Sequence, residues 1–124
     1  MAFEKIKIMK ENIVEEFNAY RGKMNEKMLE DNNKIIKRIF NLDTNAYMEG
    51  VLPKKTKELL GLGNSLVLRC DDCVRYHLEE CYKLGLTKEE VVEGMSISLL
   101  IGGTIVIPHL RRAFEYWEAL EAEK

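Results

Sequence analysis

Two cysteines three residues apart, with a histidine four residues beyond them, are the part of this sequence best suited to chemistry. The run is Cys70-Asp71-Asp72-Cys73-Val74-Arg75-Tyr76-His77, and Cys81 follows four residues later. On a helix, Cys70, Cys73, His77 and Cys81 share one face within an arc of about 80°, but at heights of about 0, 4.5, 10.5 and 16.5 Å. A tetrahedral zinc ion holds its sulfur and nitrogen ligands at about 2.0–2.3 Å, so Cys81 and Cys70 cannot share one on a straight helix. No second cysteine pair exists and His109 is the only other imidazole. No metal site is therefore expected.

Thiol redox chemistry suits the spacing better. Cysteines at i and i+3 at the start of a helix come within disulfide reach when the first turn relaxes. A helix N-terminus and a nearby imidazole both favour the thiolate, which is the nucleophile. Helical side chains lean toward the N-terminus, so His77 is expected to lean back over Cys73. Cys73 then reads as the nucleophile, His77 as its proton shuttle and Cys70 as the resolving thiol, the more accessible of the two at the helix mouth. Asp71 and Asp72 suit a helix N-terminus but oppose a neighbouring thiolate, and Arg69 and Arg75 counter them. The plainer reading of a C-x-x-C pair is two small apolar residues in a core; the histidine one turn on argues for function. Cys81 reads as core, and His109 as a hydrogen-bonded core or interface residue. Phe114, Tyr116 and Trp117 read as packing or subunit contact, and the charged stretch 26–38 as a solvated face.

The elements that carry these residues all read as helix, because no β-branched stretch alternates long enough for a solvent-facing strand. Ile6, Ile13 and Tyr20 recur every seven residues beside Met9, Phe17 and Met24, giving one long helix that Gly22 is positioned to interrupt. Ile35, Ile36, Ile39 and Phe40 mark a second helix that fades near residues 41–43. Gly50 and Pro53 signal a stop and a restart. The next helix, about residues 53–68, carries Gly61 and Gly63 as candidate close helix contacts. Another helix covers about residues 70–84 and ends at Gly85. Thr87 and Glu90 form a capping box that opens a helix apolar on most sides. Gly102-Gly103 breaks it, and a last helix runs over about residues 104–122 with a kink expected at Pro108.

At 124 residues and 46% apolar, the chain has the size and composition of one globular domain. A net charge of −2 and 8% aromatics give no basic footprint or stacking platform, so no nucleic acid and no anionic membrane surface is expected as a partner. Residues 94–110 lack Asp, Glu, Lys and Arg. That run falls short of the roughly 20 residues a membrane span needs and contains Pro108 and His109, so it reads as a buried core helix. The charged start, Met1-Ala2-Phe3-Glu4-Lys5-Ile6-Lys7, has no signal-peptide core. Three cysteines in such a chain point to a reducing, cytoplasmic setting.

The order Cys-x-x-Cys-x-x-x-His, then Leu84-Gly85-Leu86-Thr87-Lys88-Glu89-Glu90, then an apolar helix with Gly102-Gly103, resembles the AhpD-like, thiol-active branch of the carboxymuconolactone decarboxylase family. The likeness covers about residues 53–120; the first fifty match only as generic helices. It implies an all-α, AhpD-like helical fold in a single domain over 1–124, with a helical N-terminal extension (1–50) before the core. It implies a cysteine-based alkylhydroperoxidase-like peroxidase or disulfide reductase without a bound organic cofactor, in which Cys73 becomes a sulfenic acid and Cys70 resolves it. Glu58, twelve residues before Cys70, would complete a proton relay with His77; the resemblance alone singles it out. Asp72 stands where the AhpD peroxidases carry a histidine, so it is at most an auxiliary group, the relay is expected to be rearranged, and the native oxidant is left open. Implied partners are a small hydroperoxide or disulfide substrate, a thiol reductant protein and further copies of the chain, as a trimer or hexamer. Two rivals stand beside this reading. One is a decarboxylase-like enzyme acting on a small carboxylated substrate through Glu58 and His77 without the thiols. The other is a non-enzymatic helical oligomerisation module with redox-sensitive cysteines.

Overall fold

The cysteine motif opens a helix that begins where its predecessor is turned sharply aside. The computed structural model describes residues 2–123, and the side chains of all of these except 6–12. The helices are α1 (Ala2–Glu30), α2 (Lys34–Ala46), α3 (Lys54–Val67), α4 (Asp71–Lys83), α5 (Lys88–Gly102) and α6 (Ile107–Ala122), with a 3₁₀ turn at Thr104–Val106. No strand occurs among the described residues, and the fold is all-α.

Local sequence explains the punctuation. Asn33 caps α2 by accepting from the N–H groups of Ile35 and Ile36 at 3.0 and 3.1 Å. Thr87 and Glu90 form the expected reciprocal capping box on α5, at 2.8 and 3.1 Å. Gly85, at φ 84°, closes α4. There the N–H groups of Gly85 and Leu86 donate back to the Tyr82 and Cys81 carbonyls at 3.1 and 3.0 Å. The same pair of bonds closes α3, from Arg69 to Leu66 and from Cys70 to Ser65, both at 3.0 Å. Here the left-handed position is held by Arg69, at φ 60°, rather than by a glycine. That tight reversal sets Cys70 at the mouth of α4.

α3 packs against α4 and α5, α6 packs against α1 and α4, and these contacts enclose the core. Leu62 and Leu66 of α3, Val74, Leu78 and Cys81 of α4, Val91 and Met95 of α5, and Tyr116 and Trp117 of α6 are buried in it. Among the described residues, no helix is long and apolar enough to cross a membrane.

Several expectations are corrected. Gly22 does not interrupt α1, since an exposed glycine keeps the helical hydrogen bonds and only lowers propensity. Ile13 and Phe17 of its stripe are half-buried and Tyr20 is exposed, while the side chains of Ile6 and Met9 lie outside the described set. α2 runs on to Ala46 and buries none of its residues. Pro108 sits in the first turn of α6, where its missing N–H costs nothing, so no kink forms. The chain turns instead at Gly103, at φ 81°. The run 94–110 is not buried all round: Ile97, Leu100 and Ile101 are exposed, because only one face of α5 meets α3 within this chain.

Candidate functional site

Glu58 lies on α3 and His77 on α4, and the packing of these two helices joins them. His77 Nδ1 and Glu58 Oε1 are 2.8 Å apart, with the carboxylate fully buried and the ring nearly so. Lys54, one turn before Glu58, donates its Nζ to Oε2 at 3.1 Å. Burial pushes the Glu58 carboxyl up, but the hydrogen bonds from His77 and Lys54, reinforced by their charges, outweigh it and hold the group below its ordinary value. An ionised Glu58 can only accept, so Nδ1 carries a proton, and Nε2 is an acceptor whenever the ring is uncharged. The Tyr47 hydroxyl, 3.3 Å from Nε2, is placed to donate to it. Burial first, then the charges of Asp43 and Glu58, push the Tyr47 hydroxyl up, which keeps it protonated for that role.

Gly61 makes room for this chain of bonds. A Cβ there would sit 2.7 Å from both His77 Cε1 and the Tyr47 hydroxyl, and 2.9 Å from His77 Nδ1. The expected close contacts at Gly61 and Gly63 are both present; at Gly63 the neighbour is Ser98, whose hydroxyl donates to the Gly63 carbonyl at 3.0 Å.

Cys70 caps α4, its sulfur accepting from the Cys73 N–H at 3.3 Å, and the two cysteines form a disulfide with a Cα–Cα distance of 5.3 Å. Cys73 lines a cleft of about 210 Å³ together with His77, Asp72, Tyr76, Arg21 and Asp43. The Arg21 guanidinium lies 4.2 Å from the centre of the Tyr76 ring and closes one wall. A more apolar hollow between α3 and α5, lined by Leu59, Val67 and Ile97, holds none of these groups.

One expectation about the thiols changes here. Cys73 is the exposed cysteine and Cys70 the half-buried one, because the α3–α4 reversal tucks the helix mouth against the protein. The outer nitrogen of His77 lies 3.3 Å from the Tyr47 hydroxyl, and its ring shares the cleft with Cys73. Asp72 points to solvent, its side chain 77% exposed and 3.4 Å from Arg75. Cys81 is sealed in the core, where burial, then the charges of Glu58 and Glu80, push its thiol up to about 12. His109 is hydrogen-bonded, but to Asp71 at a half-buried edge rather than inside the core. Tyr47 and Lys54 are site residues the sequence reading missed. Lys54 carries a readable signal, its i,i+4 spacing to Glu58; Tyr47 arrives from the α2–α3 connection and carries none.

The sequence profile of the carboxymuconolactone decarboxylase family matches residues 34–116, taking in α2 and both halves of the site. A family protein of Thermotoga maritima, for which involvement in an antioxidative response has been suggested, is 50% identical. Its crystal structure superposes with a TM-score of 0.82 over 86% of this chain and 90% of that one. A family protein of Legionella pneumophila is 26% identical with a TM-score of 0.73, over 94% of this chain and 98% of that one. An uncharacterised protein of Cupriavidus necator is 31% identical over 77 residues, covering 62% of this chain and 68% of that one.

Proposed function

This chain belongs to the carboxymuconolactone decarboxylase family, and we propose that within it the chain is a thiol-dependent peroxidase or disulfide reductase cycling through Cys70 and Cys73. One observation carries the reading. His77, hydrogen-bonded to the buried Glu58, lines the same cleft as Cys73, the exposed member of the Cys70–Cys73 disulfide.

The chemistry proceeds in three balanced steps. The Cys73 thiolate attacks the outer oxygen of a hydroperoxide; the O–O bond breaks, Cys73 becomes a sulfenic acid, and the alcohol leaves with a proton. The Cys70 thiol then attacks the Cys73 sulfur, forming the disulfide and releasing water. A dithiol donor reduces that disulfide by exchange, itself becoming oxidised. His77 takes the Cys73 proton and returns it to the leaving oxygen, with Glu58 holding the ring in the required tautomer and Tyr47 satisfying Nε2 until the substrate arrives. Asp72 stays at the rim, where its charge helps select neutral substrates. A reducing compartment such as the cytoplasm suits the cycle, since it supplies the dithiol donor.

Assembly belongs to the same proposal. The chain exposes 8481 Å², roughly 1,600 Å² more than size scaling gives for a compact 14.4 kDa monomer. Two standard contacts per chain, about 800 Å² each, would cover that excess, as a ring of copies requires. Ile35, Ile39 and Leu42 of α2 and Ile97, Leu100 and Ile101 of α5 are the apolar residues to be covered. Light scattering is expected to give a trimer or hexamer, and a mass of 14.4 kDa at micromolar concentration would contradict it.

Peroxide consumption driven by dithiothreitol tests the activity. His77→Ala is expected to fold and to slow thiol reaction by about 10²–10⁴-fold, the usual worth of a positioned general base. Alkylation of the reduced cysteines is expected to abolish turnover. Peroxide turnover that survives alkylation would contradict the thiol reading.

A further inference from the structure

Asp71 directly follows Cys70 and opens α4, so it is the acidic residue next in the chain to one of the two redox cysteines. An unpaired anion there would work against a Cys70 thiolate and against the favourable field of the helix N-terminus. The carboxylate is paired. His109 Nδ1 lies 2.7 Å from Asp71 Oδ1, and Arg112 Nη1 donates to Oδ2 at 3.2 Å. Both partners come from α6, three residues apart on one face, so the first turn of α4 is tied to a helix nearly forty residues further along the chain. The carboxylate of Asp71 is 29% exposed and the His109 ring 20%, which leaves this pairing only partly screened by water.

The charged groups around the cysteine pair are few enough to name. They are Asp71, Asp72, Arg75 and the titratable His77 on α4, Arg69 just past α3, His109 and Arg112 on α6, and Arg21 of α1 and Asp43 of α2, which share the Cys73 cleft. Asp72 has Arg75 and open solvent. Asp71 is the acid adjacent to Cys70, and it is the one that α6 clamps.

We propose that His109 is a positioning residue that tunes the Cys70–Cys73 couple by holding Asp71, whose charge Arg112 offsets. With the anion clamped, the Cys70 thiolate is favoured, the dithiol form is stabilised, and the couple is more oxidising than it would be with Asp71 free. The inference rests on the thiol-redox reading above. In the exchange that measures it, the protein disulfide and reduced dithiothreitol give the protein dithiol and oxidised dithiothreitol, with two electrons transferred.

The test is the equilibrium constant of that exchange at pH 7, measured in a Cys81→Ala background by alkylation and mass. His109→Leu is expected to shift the constant about tenfold toward the protein disulfide, equivalent to about 30 mV. Arg112→Leu, at a half-exposed position that folding tolerates, is expected to shift it the same way. His109→Gln keeps an amide donor for Asp71 and is expected to stay near the parent value. The decisive variant is Asp71→Asn combined with His109→Leu: with no anion left to neutralise, the constant is expected to return to the parent value or pass it. A double variant as shifted as the single, or His109→Leu and Arg112→Leu with unchanged constants, overturns the inference while leaving the couple itself intact. A parent protein whose Cys70 and Cys73 do not equilibrate with the dithiol at all overturns the redox reading, and this inference with it.

Discussion

Gly61→Ala asks whether the relay is packed as described. The added methyl would begin 2.7 Å from His77 Cε1 and from the Tyr47 hydroxyl, and 2.9 Å from His77 Nδ1. Ordinary contact requires at least about 3.4 Å, so the ring and the hydroxyl must retreat by roughly 0.7 Å or the helices must part. Retreat lengthens the 2.8 Å bond to a fully buried carboxylate. Overpacking of this kind costs about 1–3 kcal/mol, and weakening the hydrogen bond of a buried charged group adds to it. Exchanging glycine for alanine inside a helix returns only about 1 kcal/mol. The expected net effect is therefore a destabilisation of about 1–3 kcal/mol in urea unfolding. Peroxide turnover should fall by about 10²-fold, since a misplacement approaching 1 Å is enough for that loss. A Gly61→Ala protein that is about 1 kcal/mol more stable and fully active would refute the packing argument, because propensity alone would then be acting.

Glu58 is held below its ordinary value in the fold, so the stability it contributes is present above about pH 4.5 and is lost as the pH falls through the folded-state value. Urea titrations from pH 6 to pH 3 are expected to show an acid limb in the parent that is flattened in Glu58→Gln. With the Cys81 thiol pushed up to about 12 and no exposure to solvent, iodoacetamide at pH 8 should label Cys70 and Cys73 of the reduced native protein and reach Cys81 only after denaturation. Arg69 occupies the left-handed region at the end of α3, so Arg69→Gly should raise stability by about 1 kcal/mol, read as a few degrees in thermal unfolding.

How far the sequence leads depends on which contacts are local. The cap at Thr87, the stop at Gly85 and the one-turn spacing that brings Cys73 and His77 to one cleft are short-range, and they are legible. The break near Gly103 is legible too, though Pro108 misleads because its effect depends on which turn of the helix it occupies. The burial of α5 misleads for a different reason: an apolar helix announces that its faces will be covered, not that its own chain will cover them. Long-range pairs leave no local trace. Glu58 and His77 are nineteen residues apart and Asp71 and His109 thirty-eight, and each pair meets only because helices pack. The thiol exposures reverse expectation because Arg69, a residue type rare in left-handed backbone, turns the chain tightly before Cys70.

The division of labour between the two thiols is the central claim, and trapping a sulfenic acid tests it most directly. In Cys70→Ser treated with one equivalent of peroxide, dimedone labelling and mass spectrometry should find the adduct on Cys73, since no partner thiol remains to condense with it. Cys73→Ser should lose nearly all turnover and show no adduct on Cys70. An adduct on Cys70 in Cys73→Ser, with turnover retained, would contradict the account: the exposed thiol beside His77 would then not be the one that meets the oxidant.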